Sequence, residues 1–384
     1  MAVADRRYSH LYYDRGGEVY VEGSRGCAYC ACSICECRDF LGSRIPSYKW
    51  RAKPIQTIIE DIRLLIKEGI SEFTFSDEDF IGSDDIGIKH AEAFANTLLK
   101  EKLHIHYRIN ARVHSIFNQT DNPYVRARKI RLLKILQRSG MIKIFLGFES
   151  GSSEQLKRYN KGFSLSEFLS AKSILDQLSI DYELGYICLD PLMTLAELND
   201  SLQFIQRYNC IPHISSIYKE LRIQCGNFSY LKQVRVYEKQ HHMLLLGEMD
   251  HTEQMYPILQ YANPSINTIK EYMTAYEQQS YQLYYYMRIL TQYVEKDTAE
   301  SHWVYRTMQD LKYLDYDLLT ALVNQLSNRD GTRNKLTGIF NDHVIQRMNC
   351  YRRLAHKLST SNEKKFKYFE QLYREIIYDS PIRG

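Results

Sequence analysis

The chain has 384 residues, of which 44% are hydrophobic and 25% charged, and its formal net charge is +4 at pH 7. This length accommodates one α/β domain of about 200–250 residues and a smaller second domain. The sequence has no run of about 18 apolar residues, which argues against a transmembrane helix. Residues 1–7 lack the apolar core of a secretory signal. We therefore expect a cytoplasmic protein with no membrane partner.

Five of the nine cysteines lie within residues 23–37, directly after a predicted strand at residues 18–22. Gly23 and Gly26 end that strand, so the thiols lie on a loop at its carboxyl end. Thiolates are soft ligands that bind zinc, copper(I) or iron–sulfur clusters. Three thiolates on one loop can hold three irons of a [4Fe–4S] cluster and leave the fourth iron open. Two Cys-x2-Cys spacings keep a zinc site as the alternative.

Strands and helices alternate from this loop to about residue 226. Six such repeats favour a parallel sheet with right-handed crossovers. Six units are too few to close an eight-stranded barrel, so we predict an α/β fold that is a partial, TIM-like (β/α)6 barrel. The predicted strands are residues 18–22, 71–75, 104–109, 142–148, 182–188 and 214–223.

Beyond residue 230 the apolar pattern is helical. We therefore predict two domains, a barrel at residues 1–230 and an all-helical domain at residues 231–384 that binds substrate or acts as a lid. From residue 331 onward there are 11 lysines and arginines but only 5 aspartates and glutamates. Such an excess of positive charge is typical of a solvated helix face, or of a surface for RNA or an acidic peptide.

The thiol loop resembles that of a known family. Ser24-Arg25-Gly26-Cys27 followed by Cys32-Ser33-Ile34-Cys35 is similar to the cluster loop of radical S-adenosylmethionine (SAM) enzymes. The family usually has three residues between its first two cysteines, whereas four lie between Cys27 and Cys32. The resemblance implies that Cys27, Cys32 and Cys35 hold the cluster and that Ile34, at a position where an aromatic residue is common, lies beside the cofactors.

The ends of the second and third predicted strands resemble the same family. Asp77 and Glu78 follow strand two, where the family has an acidic Gly-Gly-Glu motif, and the implied role is to accept hydrogen bonds from the SAM amino group. Asn110 and Arg112 are similar to polar cofactor-binding residues after strand three. Asp77 also fits a helix cap, and Arg112 also fits a surface ion pair.

The segment after the fourth strand adds three residues. Glu149, Ser150 and Lys161 resemble the family's strand-four block. That resemblance implies that Glu149 binds the ribose hydroxyls or the amino group of SAM, and that Lys161 pairs with the SAM carboxylate. A surface ion pair is the alternative role for Lys161.

Three further residues are candidates for proton transfer in the substrate cavity. Asp79 lies in the strand-two segment, and Cys188 and Asp190 lie in a block that resembles the family's strand-five motif. The alternatives are a helix cap for Asp79 and a small buried hydrophobic residue for Cys188.

The resemblance, which covers about residues 19–234, implies a radical SAM enzyme. We expect no cobalamin-binding domain, because about 18 residues precede the first strand. The implied cofactors are a [4Fe–4S] cluster and SAM, with a flavodoxin- or ferredoxin-type electron donor. A 5′-deoxyadenosyl radical would abstract hydrogen from a peptide or small-molecule substrate of natural-product type. An RNA-modifying enzyme, or a non-catalytic zinc or iron–sulfur module with an RNA-binding C-terminus, remains open.

Overall fold

A parallel sheet of five strands forms the centre of the N-terminal part. The computed structural model describes residues 4–14, 17–38, 50–82, 85–294, 297–328, 332–361 and 363–379. Its strands are β1 (Tyr20–Val21), β2 (Ser24–Gly26), β3 (Trp50–Ala52), β4 (Glu72–Phe75), β5 (His106–Ala111), β6 (Met141–Glu149), β7 (Tyr182–Tyr186), β8 (Ile223–Gln224) and β9 (Met255–Tyr256). The sheet order is β1-β4-β5-β6-β7, and every pairing in it is parallel. Parallel pairing requires long crossovers, and helices supply them.

Helices connect these strands and make up most of the chain beyond residue 227. In the helix at Ile55–Lys67, for example, Ile58, Ile62 and Leu65 are buried at spacings of four and three, which places them on one face. The helices are α1 (Ser9–Tyr13), α2 (Ile55–Lys67), α3 (Asp85–Glu101), α4 (Val113–Ile116), α5 (Pro123–Arg138), α6 (Ser153–Arg158), α7 (Leu165–Gln177), α8 (Leu195–Arg207), α9 (Phe228–His241), α10 (Pro264–Gln278), α11 (Tyr281–Tyr293), α12 (Ala299–Ser327), α13 (Arg333–Leu358) and α14 (Lys364–Asp379).

The predicted class, an α/β partial barrel followed by a mostly helical region, is confirmed. The sixth predicted strand is the point of difference, because residue Ile214 makes only a single parallel bridge, with Leu184. Residues 223–224 pair antiparallel with β9 instead. The buried residues Ile214, Ile217 and Leu221 are spaced by three and four, whereas a half-buried strand buries every second residue. If this segment formed a regular strand, at least one of these three apolar side chains would point to the opposite face of the sheet from the others.

An aromatic cluster fixes the carboxyl end of β4. The ring of Phe75 lies 4.5 Å from that of Phe80, 5.4 Å from that of Phe94 and 5.7 Å from that of Tyr107, measured between centroids. All four rings are buried, and each such pair stabilises the fold by about 0.5–1.5 kcal/mol beyond its buried area. The cluster therefore holds residues 76–80, which leave β4, in one conformation.

The chain divides into two compact units. The first comprises residues 1–187, 213–215 and 221–259, and the second comprises residues 188–212, 216–220 and 260–384. In the second unit a buried ion pair joins Arg347 Nη1 to Asp315 Oδ1 at 2.5 Å. The domain boundary at residue 230 stays a prediction. Of the helices in the described ranges, none combines the length and the apolar character needed to cross a membrane.

Two glycines allow a matched test of the fold. Gly140 has a φ of +110°, and a Cβ there would lie 2.0 Å from the carbonyl oxygen of Ile105. We expect Gly140→Ala to destabilise the fold by about 2 kcal/mol or more. Gly338 lies in α13, where an added Cβ has no neighbour within 4 Å, so Gly338→Ala should stabilise by about 0.5–1 kcal/mol. The melting temperature should fall in Gly140→Ala and rise in Gly338→Ala. A shift of the same size and direction in both variants would contradict this structure.

Candidate functional site

The thiol loop lies between β2 and a single helical turn at Glu36–Arg38. Cys27, Cys30 and Cys37 are buried and pack against Cys35. The Sγ of Cys30 donates to the carbonyl of Cys37 at 2.9 Å, and the hydrogen bond from Cys37 lowers the pKa of Cys35. In the described part of the chain, no three histidine, cysteine, aspartate or glutamate side chains are close enough to share one metal ion.

Two carboxylates after β4 hold the start of this loop. Asp77 Oδ2 accepts a hydrogen bond from the Gly23 amide at 2.9 Å, and Asp77 Oδ1 accepts one from the Ser24 hydroxyl. Glu78 Oε2 accepts from the Gly26 amide at 2.7 Å. Asp77 is fully buried, so these bonds offset part of the cost of burying its carboxylate. Both residues therefore act here as anchors of the thiol loop, and their predicted contact with SAM stays a prediction.

The middle of the loop is tied to the segment that follows β6. The amide of Ser33 donates to the carbonyl of Tyr159 at 2.8 Å, and the Ser33 hydroxyl donates to the carbonyl of Arg158 at 2.8 Å. The hydroxyl of Tyr29 donates to the carbonyl of Asn160 at 3.0 Å. Through these bonds the loop and the segment carrying Lys161 are held as one structure.

Arg112 lies beside Tyr29 at the end of β5. Its guanidinium carbon is 4.4 Å from the centroid of the Tyr29 ring, a cation–π contact. Its Nη2 is buried and has no hydrogen-bond acceptor among the described residues. The sequence did not single out Tyr29. In the structure its ring packs against Gly162, where a Cβ would lie 2.5 Å from the ring.

Asp79 lies near Arg112 and is completely buried. Its Oδ1 accepts a hydrogen bond from the Ser115 hydroxyl at 2.9 Å. Burial raises the pKa of Asp79, and the positive charge of Arg112 opposes that rise. The backbone carbonyl of Asp79 accepts from the indole of Trp50 at 2.8 Å. The side chain of Asp79 thus belongs to the same charged cluster as Arg112.

Glu149 and Lys161 form an ion pair at the end of β6. Lys161 Nζ lies 3.2 Å from Glu149 Oε1, and both side chains are largely buried. Burial alone lowers the pKa of Lys161, but the charges of Glu149 and Cys32 outweigh it and raise that pKa. A Cβ at Gly147 or at Gly185 would lie 3.2 Å from a carboxylate oxygen of Glu149. The two glycines therefore leave the space that this carboxylate occupies.

Three other predicted cofactor residues lie in the same unit with partners of their own. Asn110 Nδ2 donates to the carbonyl of Asp77 at 2.8 Å. The hydroxyl of Ser150 accepts from the Ser152 amide at 2.9 Å, which orders the turn after β6. Ile34 is half-buried in the loop. Their contacts with a cofactor stay predictions.

Cys188 and Asp190 belong to the second unit and are fully buried there. Asp190 Oδ1 accepts from the Leu192 amide at 2.9 Å, which is a local turn bond. Burial raises the pKa of the Cys188 thiol. Their role in proton transfer stays a prediction.

The residues of the first unit fit an iron–sulfur cluster that carries an amino-acid ligand. Sulfur donors on one loop suit iron. A buried guanidinium nitrogen without an acceptor, that of Arg112, suits a carboxylate. The Glu149 carboxylate suits an ammonium group, and Lys161 adds a second cation. Together they complement a zwitterion next to a thiolate loop.

Comparison with known proteins agrees with this arrangement. Residues 21–205 match the family model described as the Radical SAM superfamily. The 4′-phospho-dehydrooxetanocin synthase of Priestia megaterium is 27% identical over 203 residues, which are 51% of this chain and 26% of the relative. The hopanoid C-3 methylase of Methylococcus capsulatus is 27% identical over 171 residues, 44% of this chain and 28% of the relative. The chain thus spans about a quarter of the length of these relatives.

A solved structure shares the fold over nearly the whole chain. It is that of the cobalamin-dependent SAM radical enzyme OxsB with aqua-cobalamin and SAM bound. The TM-score is 0.79 at 17% identity, over 98% of this chain and 60% of OxsB. At this identity the likeness shows the fold alone. The expected absence of a cobalamin-binding domain stays a prediction.

Replacing single cysteines tests the ligand set. We expect Cys32→Ala to lose most of the iron of the reconstituted protein, because it removes one of three proposed ligands. Cys30→Ala and Cys37→Ala should keep their iron, since the thiols of Cys30 and Cys37 make hydrogen bonds to other residues of the loop. Iron and sulfide per chain are the measurement, and loss of the cluster in either control variant would overturn this assignment.

Asp77 gives the fold a pH dependence. Burial raises the pKa of Asp77 to about 7, whereas an aspartate in an unfolded chain has a pKa of about 3.9. Its contribution to stability is therefore complete below about pH 4 and is lost as the pH rises through about 7. Asp77→Asn cannot ionise, so its melting temperature relative to wild type should rise from about pH 5 to about pH 8. If the difference in melting temperature between Asp77→Asn and wild type is the same at about pH 5 and about pH 8, Asp77 does not titrate in this range.

Proposed function

Because residues 21–205 match the family model of the Radical SAM superfamily, whose cofactors are a [4Fe–4S] cluster and SAM, we propose that this chain is a radical SAM enzyme that cleaves SAM reductively. With both cofactors bound, one electron from the donor, passed through the cluster, would cleave SAM into methionine and a 5′-deoxyadenosyl radical, which would abstract hydrogen from the substrate. The protein contributes binding, orientation and the exclusion of water.

Cys27, Cys32 and Cys35 are the proposed ligands of the cluster. Burial raises the pKa of Cys32, and the positive charges of Lys161 and Arg112 oppose that rise. The two cations thus favour the thiolate, which is the form that binds metal. Asp77 and Glu78 support this role by fixing the backbone of the loop.

The Glu149–Lys161 pair is the strongest support for SAM as the ligand. It combines a carboxylate and an ammonium 3.2 Å apart, largely buried, in the same unit as the thiol loop. We assign Glu149 to the amino group or ribose hydroxyls of SAM, and Lys161 with Arg112 to its carboxylate. Held by a carboxylate on one side and by cations on the other, the polar groups of SAM would be fixed in one orientation, which is the main requirement for selective hydrogen abstraction.

The proposed substrate is a peptide or a small molecule of natural-product type. The relative named 4′-phospho-dehydrooxetanocin synthase supports the small-molecule class. We propose a flavodoxin- or ferredoxin-type electron donor and a reducing cytoplasm as the setting. Asp79, Cys188 and Asp190 remain our candidates for proton transfer, and residues 231–384 our candidate substrate or lid domain.

Spectroscopy of the reduced, reconstituted protein tests this function. SAM should change the EPR signal of the cluster, and 5′-deoxyadenosine should appear by mass spectrometry. Each of Glu149→Gln and Lys161→Met should weaken SAM binding about 10–100-fold, because each removes a charged hydrogen bond from a largely buried site. Lys157→Met is the matched control, since Lys157 is 71% exposed and pairs with Glu154 at the surface.

Three outcomes would count against the proposal. A colourless protein that holds zinc, or a cluster whose spectrum is unchanged by SAM, would favour a non-catalytic module. Equal weakening in Lys157→Met would show that the effect on SAM binding is not specific to the pair.

A further inference from the structure

A charged cavity of about 320 Å³ lies between α12 and α13 in the second unit. It contains no residue of the site proposed for SAM, and the proposed function gives it no role. Its lining comes from these two helices only: Trp303, Arg306, Thr307 and Asp310 from α12, and Cys350, Arg353, Leu354 and Lys357 from α13.

The spacing of the lining residues shows that they form two facing rows. On each helix every lining residue has another three or four positions away, which places them on one face. The two rows run in opposite directions, because Trp303 contacts Lys357 at one end and Asp310 lies near Cys350 at the other. Cys350 and Leu354 are buried at the base, whereas Arg306 and Arg353 are exposed. The cavity is therefore an open cleft with a closed floor.

The cleft carries an excess of positive charge. Three cations line it, Arg306, Arg353 and Lys357, against the single carboxylate of Asp310. Within the described ranges, none of the three cations lies within 4.0 Å of a carboxylate oxygen, whereas nearby cations such as Arg374 and Lys365 do pair. Arg353 and Lys357 are four positions apart on one helix, a spacing at which like charges are destabilising. A bound anion would relieve this repulsion.

Two contacts hold the cations in place and leave donors available. Arg353 Nη2 donates to Cys350 Sγ at 3.0 Å. Lys357 Nζ lies 5.7 Å from the centre of the Trp303 ring, a cation–π distance. A guanidinium has five N–H donors, and within the described ranges most of those on Arg353 remain free for a ligand. The side chains are thus oriented before any anion arrives.

We propose that this cleft binds the phosphate group of a small phosphorylated molecule. A phosphate monoester carries about −1.5 to −2 charges at pH 7, which matches three cations and one carboxylate. Arginine forks bind phosphate oxygens in pairs. The volume of about 320 Å³ exceeds what one phosphate fills and lies in the range of small-molecule sites. The rest of the ligand therefore has room beside Trp303.

Calorimetric titration of the full chain with inorganic pyrophosphate tests this site. We expect saturable binding that Arg353→Gln and Lys357→Gln each weaken at least about tenfold, as expected for the loss of a charged hydrogen bond. Arg352→Gln is the control, because Arg352 lies next in sequence, bonds to Asn349 and does not line the cleft. Trp303 is one of two tryptophans in the chain, so wild-type fluorescence should change with the same midpoint.

Several results would overturn the proposal. They are the absence of saturable binding, equal weakening by Arg352→Gln, and binding of a single-stranded RNA that exceeds that of pyrophosphate and is lost equally in all three variants. The last would indicate a diffuse basic surface. Because none of these variants touches the thiol loop, SAM cleavage should persist in each of them. Failure of the cleft and failure of the proposed function are therefore distinguishable.

Discussion

The anchoring of the thiol loop by Asp77 and Glu78 is the constraint on which the rest of the site depends. The loop has five cysteines within residues 27–37, and three of them are buried in a small cluster. Two carboxylates accept hydrogen bonds from Gly23, Ser24 and Gly26 at its start. An unpaired buried carboxylate is costly, so the bonds to the buried Asp77 tie its burial to a single loop conformation.

The other side of the site depends on a conformation that is unfavourable by itself. Glu149 has a φ of +69°, a left-handed backbone that is uncommon for residues other than glycine. Strain of this kind persists where the surrounding structure fixes it. Here Gly147 and Gly185 leave room for the carboxylate, and Lys161 pairs with it. The strain turns the Glu149 side chain toward Lys161 at the end of the sheet.

Much of the sheet could be predicted from sequence because its strands are apolar runs between helical patterns. The predicted strands at 104–109, 142–148 and 182–188 correspond to His106–Ala111, Met141–Glu149 and Tyr182–Tyr186. The segment around Ile214 could not be predicted, because its apolar residues support burial without supporting a ladder. The anchoring role of Asp77 was also beyond a local pattern, since its partners lie 53 and 54 residues away. A helix cap and a loop anchor look alike in sequence.

The distribution of charge explains why acids and bases occupy different places in this unit. Asp77 and Glu78 accept hydrogen bonds from the start of the loop, and the negative charge of Glu78 also opposes the fall in the pKa of Cys35. Lys161 and Arg112 both oppose the burial-driven rise in the pKa of Cys32. If Asp77 faced the sulfurs instead, its charge would disfavour thiolates, since like charges raise the pKa of an acid. The fold thus uses carboxylates to position the loop, while two cations oppose part of the effect of burial on Cys32.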